Sequence, residues 1–122
     1  MSKSIRQSRI TLIGVLLAVV LGVGAMSTAR ATYNSNIVGT LTSVIVYENG
    51  SVLFVLDAQP ASNGTCDARY FEIDQADSSD AVVDRMYKRL LTAYTQRQPV
   101  QIGFDNSGAC GSLGYIHTYR VG

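Results

Sequence analysis

The sequence predicts a mainly β fold with one helix, a five-stranded barrel whose elements run β-β-β-α-β-β. Three observations lead there. Strand-like runs rich in β-branched and alternating apolar residues recur along residues 37–121, with turn chemistry between them. One stretch, residues 78–96, switches from a period of two to a helical period. The first strand is long, its apolar parity changes part-way, and the chain around it is short. A long bent first strand, a helix between strands three and four and a small domain together fit an OB-type barrel, with the helix closing one end. An α+β sandwich with the same element order is the alternative.

Taken in order, residues 37–47 carry the strongest β signal. Ile37 and Leu41 share one parity, whereas Val44 and Val46 share the other. A hard bend at Gly39 would explain the change. Asn49-Gly50 is the pair best suited to the positive φ angles of a two-residue hairpin turn. Val52, Phe54 and Leu56 then alternate with Leu53 and Val55, which predicts a strand buried on both faces. Residues 58–67, with Pro60, Asn63 and Gly64, read as a loop. Residues 69–73 form the third strand, and the acidic, polar residues 74–80 lead into the helix.

The helix is amphipathic. Val83, Met86, Tyr87, Leu90, Leu91 and Tyr94 recur on one face, and Asp84, Arg85, Lys88 and Arg89 on the other. Ser78 or Ser79 suits the N-cap. Asp80 and Arg97 complement the two ends of the dipole. Pro99 lacks an amide donor and disfavours helix at Gln98, so the helix should stop there. Val100, Ile102 and Phe104 alternate with Gln101 and Gly103 as strand four. The glycine-rich residues 105–114 make a loop. Tyr115, His117, Tyr119 and Val121 alternate with Ile116, Thr118 and Arg120 as strand five.

Ahead of this domain, Lys3, Arg6 and Arg9 precede an almost wholly apolar run over residues 10–26. Ala29-Arg30-Ala31 places small residues where signal peptidase needs them. Residues 1–31 are therefore predicted to be a secretory signal peptide cleaved after Ala31, leaving 32–122 as a single domain. An uncleaved anchor is the rival, because a spanning helix wants roughly 20 apolar residues and this run approaches that length. The Ala-x-Ala site favours cleavage. Of the ten basic residues, Lys3, Arg6, Arg9 and Arg30 belong to the leader, so the formal net charge falls from +1 to −3 on cleavage. Nothing in the remainder makes a basic stripe, which argues against nucleic acid as a partner. Once cleaved, the chain has no membrane segment.

Cys66 and Cys110 are the only two cysteines, an even count in an exported chain. They are predicted to form a disulfide, enclosing a loop whose closure is worth up to about 4 kcal/mol on the chain-entropy model. A domain of this size gains from such a staple. Metal and nucleophile readings of the cysteines are poorer. Zinc wants about four ligands and His117 is the only histidine, while a cysteine nucleophile wants a base and an unpaired thiol. No cofactor and no metal is expected.

The carboxylates Asp57, Glu72, Asp74, Asp77 and Asp80 fall at strand ends and in the polar loop, where a solvated surface is the default reading. A calcium site from Asp74, Asp77 and Asp80 is conceivable, since hard oxygen ligands suit that ion, but the spacing is not that of an EF-hand. The chain is therefore not expected to be an enzyme. Tyr70, Tyr94, Tyr115 and Tyr119 are the candidate ligand-binding residues, because a ring with a polar handle suits a sugar or a peptide edge. Ordinary packing of half-buried rings is the competing role for each.

The run Leu90-Leu91-Thr92-Ala93-Tyr94-Thr95-Gln96-Arg97-Gln98-Pro99-Val100-Gln101-Ile102 resembles the helix end and fourth strand of the binding subunits of subtilase cytotoxin and typhoid toxin. The stretch Val38-Gly39-Thr40-Leu41-Thr42-Ser43-Val44 is similar in character to their first strand. The resemblance extends to exported bacterial proteins of this length with a cysteine-bearing loop after strand four. It implies an OB-fold, a pentamer and recognition of sialylated glycans. The serine that contacts sialic acid in those toxins falls at Val38, which supplies no such hydrogen bond, and those subunits carry more cysteines. Of their binding surface, only Tyr94 has a matching position. Two functions are thus expected. One is an exported binding module, secreted or periplasmic, with a glycan ligand. The other is a structural or inhibitory protein of the cell envelope, acting on a protein partner through an exposed barrel edge.

Overall fold

The computed structural model describes residues 33–122. The predicted leader, its cleavage after Ala31 and the anchor alternative lie outside the described residues. Among the described residues, no helix is long and apolar enough to cross a membrane.

The elements are β1 (Ser35–Val46), β2 (Val52–Leu56), β3 (Asp67–Ile73), α1 (Asp80–Gln96), β4 (Pro99–Phe104) and β5 (Tyr115–Val121). The strands close into a barrel in the order β1-β2-β3-β5-β4. Neighbours are antiparallel except β3 and β5, which run parallel. This is the predicted five-stranded OB-type barrel with its β-β-β-α-β-β order. Each strand has a bonded neighbour on both sides.

β1 serves two partners. Its first half, Ser35 to Thr40, pairs with β4, and its second half, from Leu41, pairs with β2. The register shifts between Leu41 and Ser43, so Thr42 is the extra residue of a bulge. A bulge moves every later side chain to the opposite face. That is why Ile37 and Leu41 pack inward before it and Val44 after it. The parity change lies at Thr42 and not, as expected, at Gly39. Gly39 has a different job: a Cβ there would stand 2.8 Å from Asp57 Oδ1 and 3.1 Å from Leu56 Cβ, so the tight approach of β1 to the end of β2 requires glycine.

The first hairpin also differs from expectation in one detail. Val46 pairs with Val52, and the Tyr47 N–H donates to the Ser51 carbonyl, which leaves Glu48, Asn49 and Gly50 in the turn. Only Gly50 has positive φ, at 90°. Asn49 instead accepts the Ser51 N–H on its side-chain oxygen at 3.0 Å. The turn is thus a three-residue loop with a left-handed glycine last, the second most favoured hairpin geometry.

α1 begins at the Ser79 cap, whose hydroxyl accepts the Val82 N–H, and ends at Arg97 in the left-handed conformation. It packs against β1, β4 and β5. Val83, Leu90 and Ala93 are its buried residues, with Met86 and Tyr87 packed beside them. Leu91 and Tyr94, expected on the same face, are 41% and 43% exposed. Ala93 takes their place because a short side chain lets the last turn lie close to the barrel. The core that α1 covers centres on Phe54, Phe71 and Phe104, with Phe54 stacked on Phe71 at 5.4 Å and Phe104 edge-on to Phe71 at 5.5 Å.

Cys66 and Cys110 form the predicted disulfide, with their Cα atoms 5.4 Å apart. It ties the loop before β3 to the loop after β4. Asn63 Nδ2 reinforces the join by donating to the Asp105 carbonyl at 3.0 Å.

Candidate functional site

Two places on the barrel gather polar chemistry. The first is a groove of about 450 Å³ between β1 and the last turn of α1, lined by Thr40, Leu41, Thr42, Tyr94, Thr95 and Arg97. Local geometry places each of them. Thr40 is held by its N–H, which donates to Asp57 Oδ1 at 2.8 Å, where β1 leaves β4. The bulge turns Thr42 outward, where its hydroxyl reaches the Val55 carbonyl at 3.4 Å. The Thr95 hydroxyl donates back to the Leu91 and Thr92 carbonyls, each at 3.0 Å. Tyr94 leaves the core face and presents its ring at the rim. Arg97, at φ 52° and ψ 38°, projects from the helix C-cap. Neither ion pair among the described residues, Arg69–Asp67 and Lys88–Asp84, involves it. The groove therefore offers an aromatic ring, three hydroxyls and one uncompensated guanidinium to solvent.

The second place lies outside the barrel, where the loop after β4 covers β3 and β5. Phe71 and Ile73 point into the core, so Glu72 and Asp74 point outward, yet they are only 0% and 1% exposed. This corrects the expectation of a solvated acidic surface. The loop at residues 111–115 supplies what buries them. Glu72 Oε1 accepts the Leu113 N–H at 3.1 Å and the Ser112 hydroxyl at 3.4 Å, and Oε2 accepts the Tyr115 N–H at 3.4 Å. Asp74 accepts the Ser112 N–H at 2.7 Å, the Ser112 hydroxyl at 2.8 Å and the Ala76 N–H at 2.9 Å. Gly111 passes so close that a Cβ there would overlap the Glu72 carboxyl group.

The two carboxyls are tuned in opposite directions. Burial pushes Glu72 up, and the neighbouring charge of Asp74 adds to this against the donors from the loop. For Asp74, burial also pushes up, but the Ser112 hydroxyl, the Ala76 and Ser112 N–H groups and the nearby His117 together hold it below its ordinary value. His117 sits across the parallel ladder from Glu72 and is 7% exposed. One of its ring nitrogens and carboxylate oxygens of Asp74 and Asp77 all lie within 4.8 Å of one another. The trio of Asp74, Asp77 and Asp80, weighed and set aside as a calcium site, is not what gathers here. Asp80 accepts from Gln75 Nε2 at 2.7 Å at the start of α1, and His117 completes the group instead. The Ser112 hydroxyl donates to the two carboxyl groups.

The four tyrosines are dispersed. Tyr70 and Tyr115 meet edge to face at 5.2 Å, beside the exposed Asp67–Arg69 pair. Tyr119 lies four residues further along β5, against His117 at 4.4 Å and Tyr33 at 6.5 Å. Its phenol is pushed up by burial and then by the charges of Asp105 and Asp77. Tyr94 alone enters the groove. Thr40, Thr42, Thr95 and Arg97 carry no local signal of a shared site in the sequence, because only the bulge and the left-handed cap bring them together.

Comparison of the chain with family models, curated proteins and solved structures gives no match.

Proposed function

We propose that the protein is an exported binding module whose groove between β1 and the end of α1 takes an acidic glycan. The observation that carries this reading is Arg97. A helix that ends in a left-handed residue is best served by glycine, and a non-glycine residue there costs on the order of 1 kcal/mol or more. The chain places an arginine at this position, and it lines the groove without a carboxylate partner among the described residues. A guanidinium suits bidentate pairing with a carboxylate on a sugar. The flanking threonine hydroxyls suit sugar hydroxyls, and the Tyr94 ring suits a sugar face. A single shallow groove of this kind binds weakly. Assembly of several copies, as in the pentameric toxin subunits that the sequence resembles, would raise the avidity without new contacts. The disulfide supports placement in an oxidising compartment, secreted or periplasmic.

A glycan array, read beside a sizing measurement, tests the proposal. Wild-type protein is expected to bind carboxylate-bearing glycans saturably. Arg97→Gly is expected to lose that signal while melting no lower than wild type, because glycine relieves the left-handed cap. Absence of any glycan signal from folded wild-type protein would overturn the reading in favour of an envelope protein acting on a protein partner. Equal binding by Arg97→Gly would move the site away from the groove.

A further inference from the structure

The cluster outside the barrel has no part in the groove, and its geometry supports a separate inference. Two carboxylates converge there, those of Asp74 and Asp77, and neither ion pair among the described residues reaches them. Carboxylates gathered on one side of a protein repel one another unless a cation intervenes. Within this group lies His117, 7% exposed, whose imidazole makes no hydrogen bond among the described residues. A side chain nine-tenths buried that faces two carboxylates is placed where a ligand atom would be. This one stands within 4.8 Å of oxygens from both Asp74 and Asp77.

We propose that Asp74, Asp77 and His117 bind one divalent transition-metal ion of the zinc class. The ligand set is one imidazole nitrogen and two carboxylate oxygens, leaving further positions to water. An imidazole selects for zinc and its neighbours in the first row and against calcium or magnesium, which prefer oxygen. Zinc–ligand distances of about 2.0–2.2 Å let two ligands stand no more than roughly 4.3 Å apart. A small turn of Asp77, the one exposed ligand, closes the remaining gap. The other two ligands are already oriented. Asp74 is fixed by three donors, two of them from Ser112, and His117 is fixed in the β5 ladder against Tyr119. A ligand held by its own hydrogen bonds, as Asp74 is, meets what a metal site requires beyond its donor atoms. Because Ser112 lies two residues beyond Cys110, the ion would join β3, β5 and the disulfide loop at one point.

The test uses untagged protein stripped with a chelator, then titrated with zinc chloride and followed by calorimetry and by the imidazole NMR signals. His117 is the only histidine, so those signals have one source. The expected result is one equivalent of zinc bound, with a shift of the His117 imidazole resonances and a higher melting temperature. Asp77→Asn, at an exposed position that leaves the fold intact, is expected to weaken binding by about tenfold or more, since even removal of a ligand's supporting partner costs 10–100-fold. His117→Gln is expected to abolish it. Calcium chloride is expected to give no shift of the imidazole signals. Zinc binding that leaves those signals unmoved, or that Asp77→Asn does not weaken, would overturn the proposal, as would the absence of any zinc binding.

Discussion

At Glu72 a carboxyl group is held inside the protein with hydrogen-bond donors around it but no cation paired to it. Its raised pKa has a definite consequence for stability. The folded state holds the proton more tightly than the unfolded chain, so the penalty for ionising Glu72 is absent in acid and grows as pH rises above its ordinary value of 4.5. Asp74 acts in the opposite sense: its lowered pKa adds stability that is lost as pH falls through the folded value. Glu72→Gln separates the two. With chelator present, the melting temperature of that variant relative to wild type is expected to rise from low pH toward neutral. A difference that stays flat with pH would show that the buried carboxyl is not shifted. Gly111 gives a steric counterpart. A methyl group there meets the Glu72 carboxyl, so Gly111→Ala is expected to cost about 1–3 kcal/mol by overcrowding. Glu72→Ala in the same chain should recover part of that loss, and purely additive melting data would place the clash elsewhere. None of this was legible in the sequence. Alternation shows that Glu72 and Asp74 face away from Phe71 and Ile73. What covers them is decided by Leu113, 41 residues beyond Glu72, and no local pattern records that.

At the scale of the element, α1 shows how far periodicity reaches. The spacing of Val83, Met86, Tyr87 and Leu90 located the buried face, and Ser79 and Pro99 located the ends to within a residue or two. In the last turn, bulk is not the sign of burial. Where a helix approaches a barrel closely, the small Ala93 is buried and the larger Leu91 and Tyr94 are displaced to the rim. Leu90 is 0% exposed and has core neighbours, so Leu90→Ala is expected to destabilise by about 2–5 kcal/mol in denaturant melts. Leu91→Ala, by contrast, should change stability little. If the two losses are alike, the helix is rotated from the face described. β1 and its hairpin make a similar point. The parity switch and the Asn-Gly pair announced a bend and a turn, but a bulge can sit at any of several residues between the two apolar sets. A glycine at the last turn position satisfies a three-residue loop as well as a two-residue one. In both cases the kind of device was readable and its exact register was a matter of pairing with β2.

At the scale of the whole molecule, the disulfide and the barrel do different work. Closure of the sheet and the Phe54–Phe71–Phe104 core hold the strands, and Cys66 packs at the margin of that core. The bond between Cys66, at the margin of that core, and Cys110 joins two loops, one of which carries Gly111, Ser112 and Leu113 over the buried carboxyls. Two effects of reduction should therefore be separable. Globally, the unfolded chain regains the freedom of a loop spanning 44 residues, which on the chain-entropy model is worth about 4 kcal/mol. For a domain of this size that corresponds to a fall in melting temperature on the order of 15–30 °C. Locally, the loop is released while the barrel persists. The amides of Leu113 and Tyr115, which donate to Glu72, should exchange with solvent faster in the reduced protein at temperatures well below its melt. Those of Phe54 and Ile102 in the core should then change far less. Uniform acceleration at all four amides would mean that the disulfide supports the barrel itself. An unchanged melt would mean that the two loops are held by their hydrogen bonds alone, with Asn63 to Asp105 sufficient to seat the cover over Glu72 and Asp74.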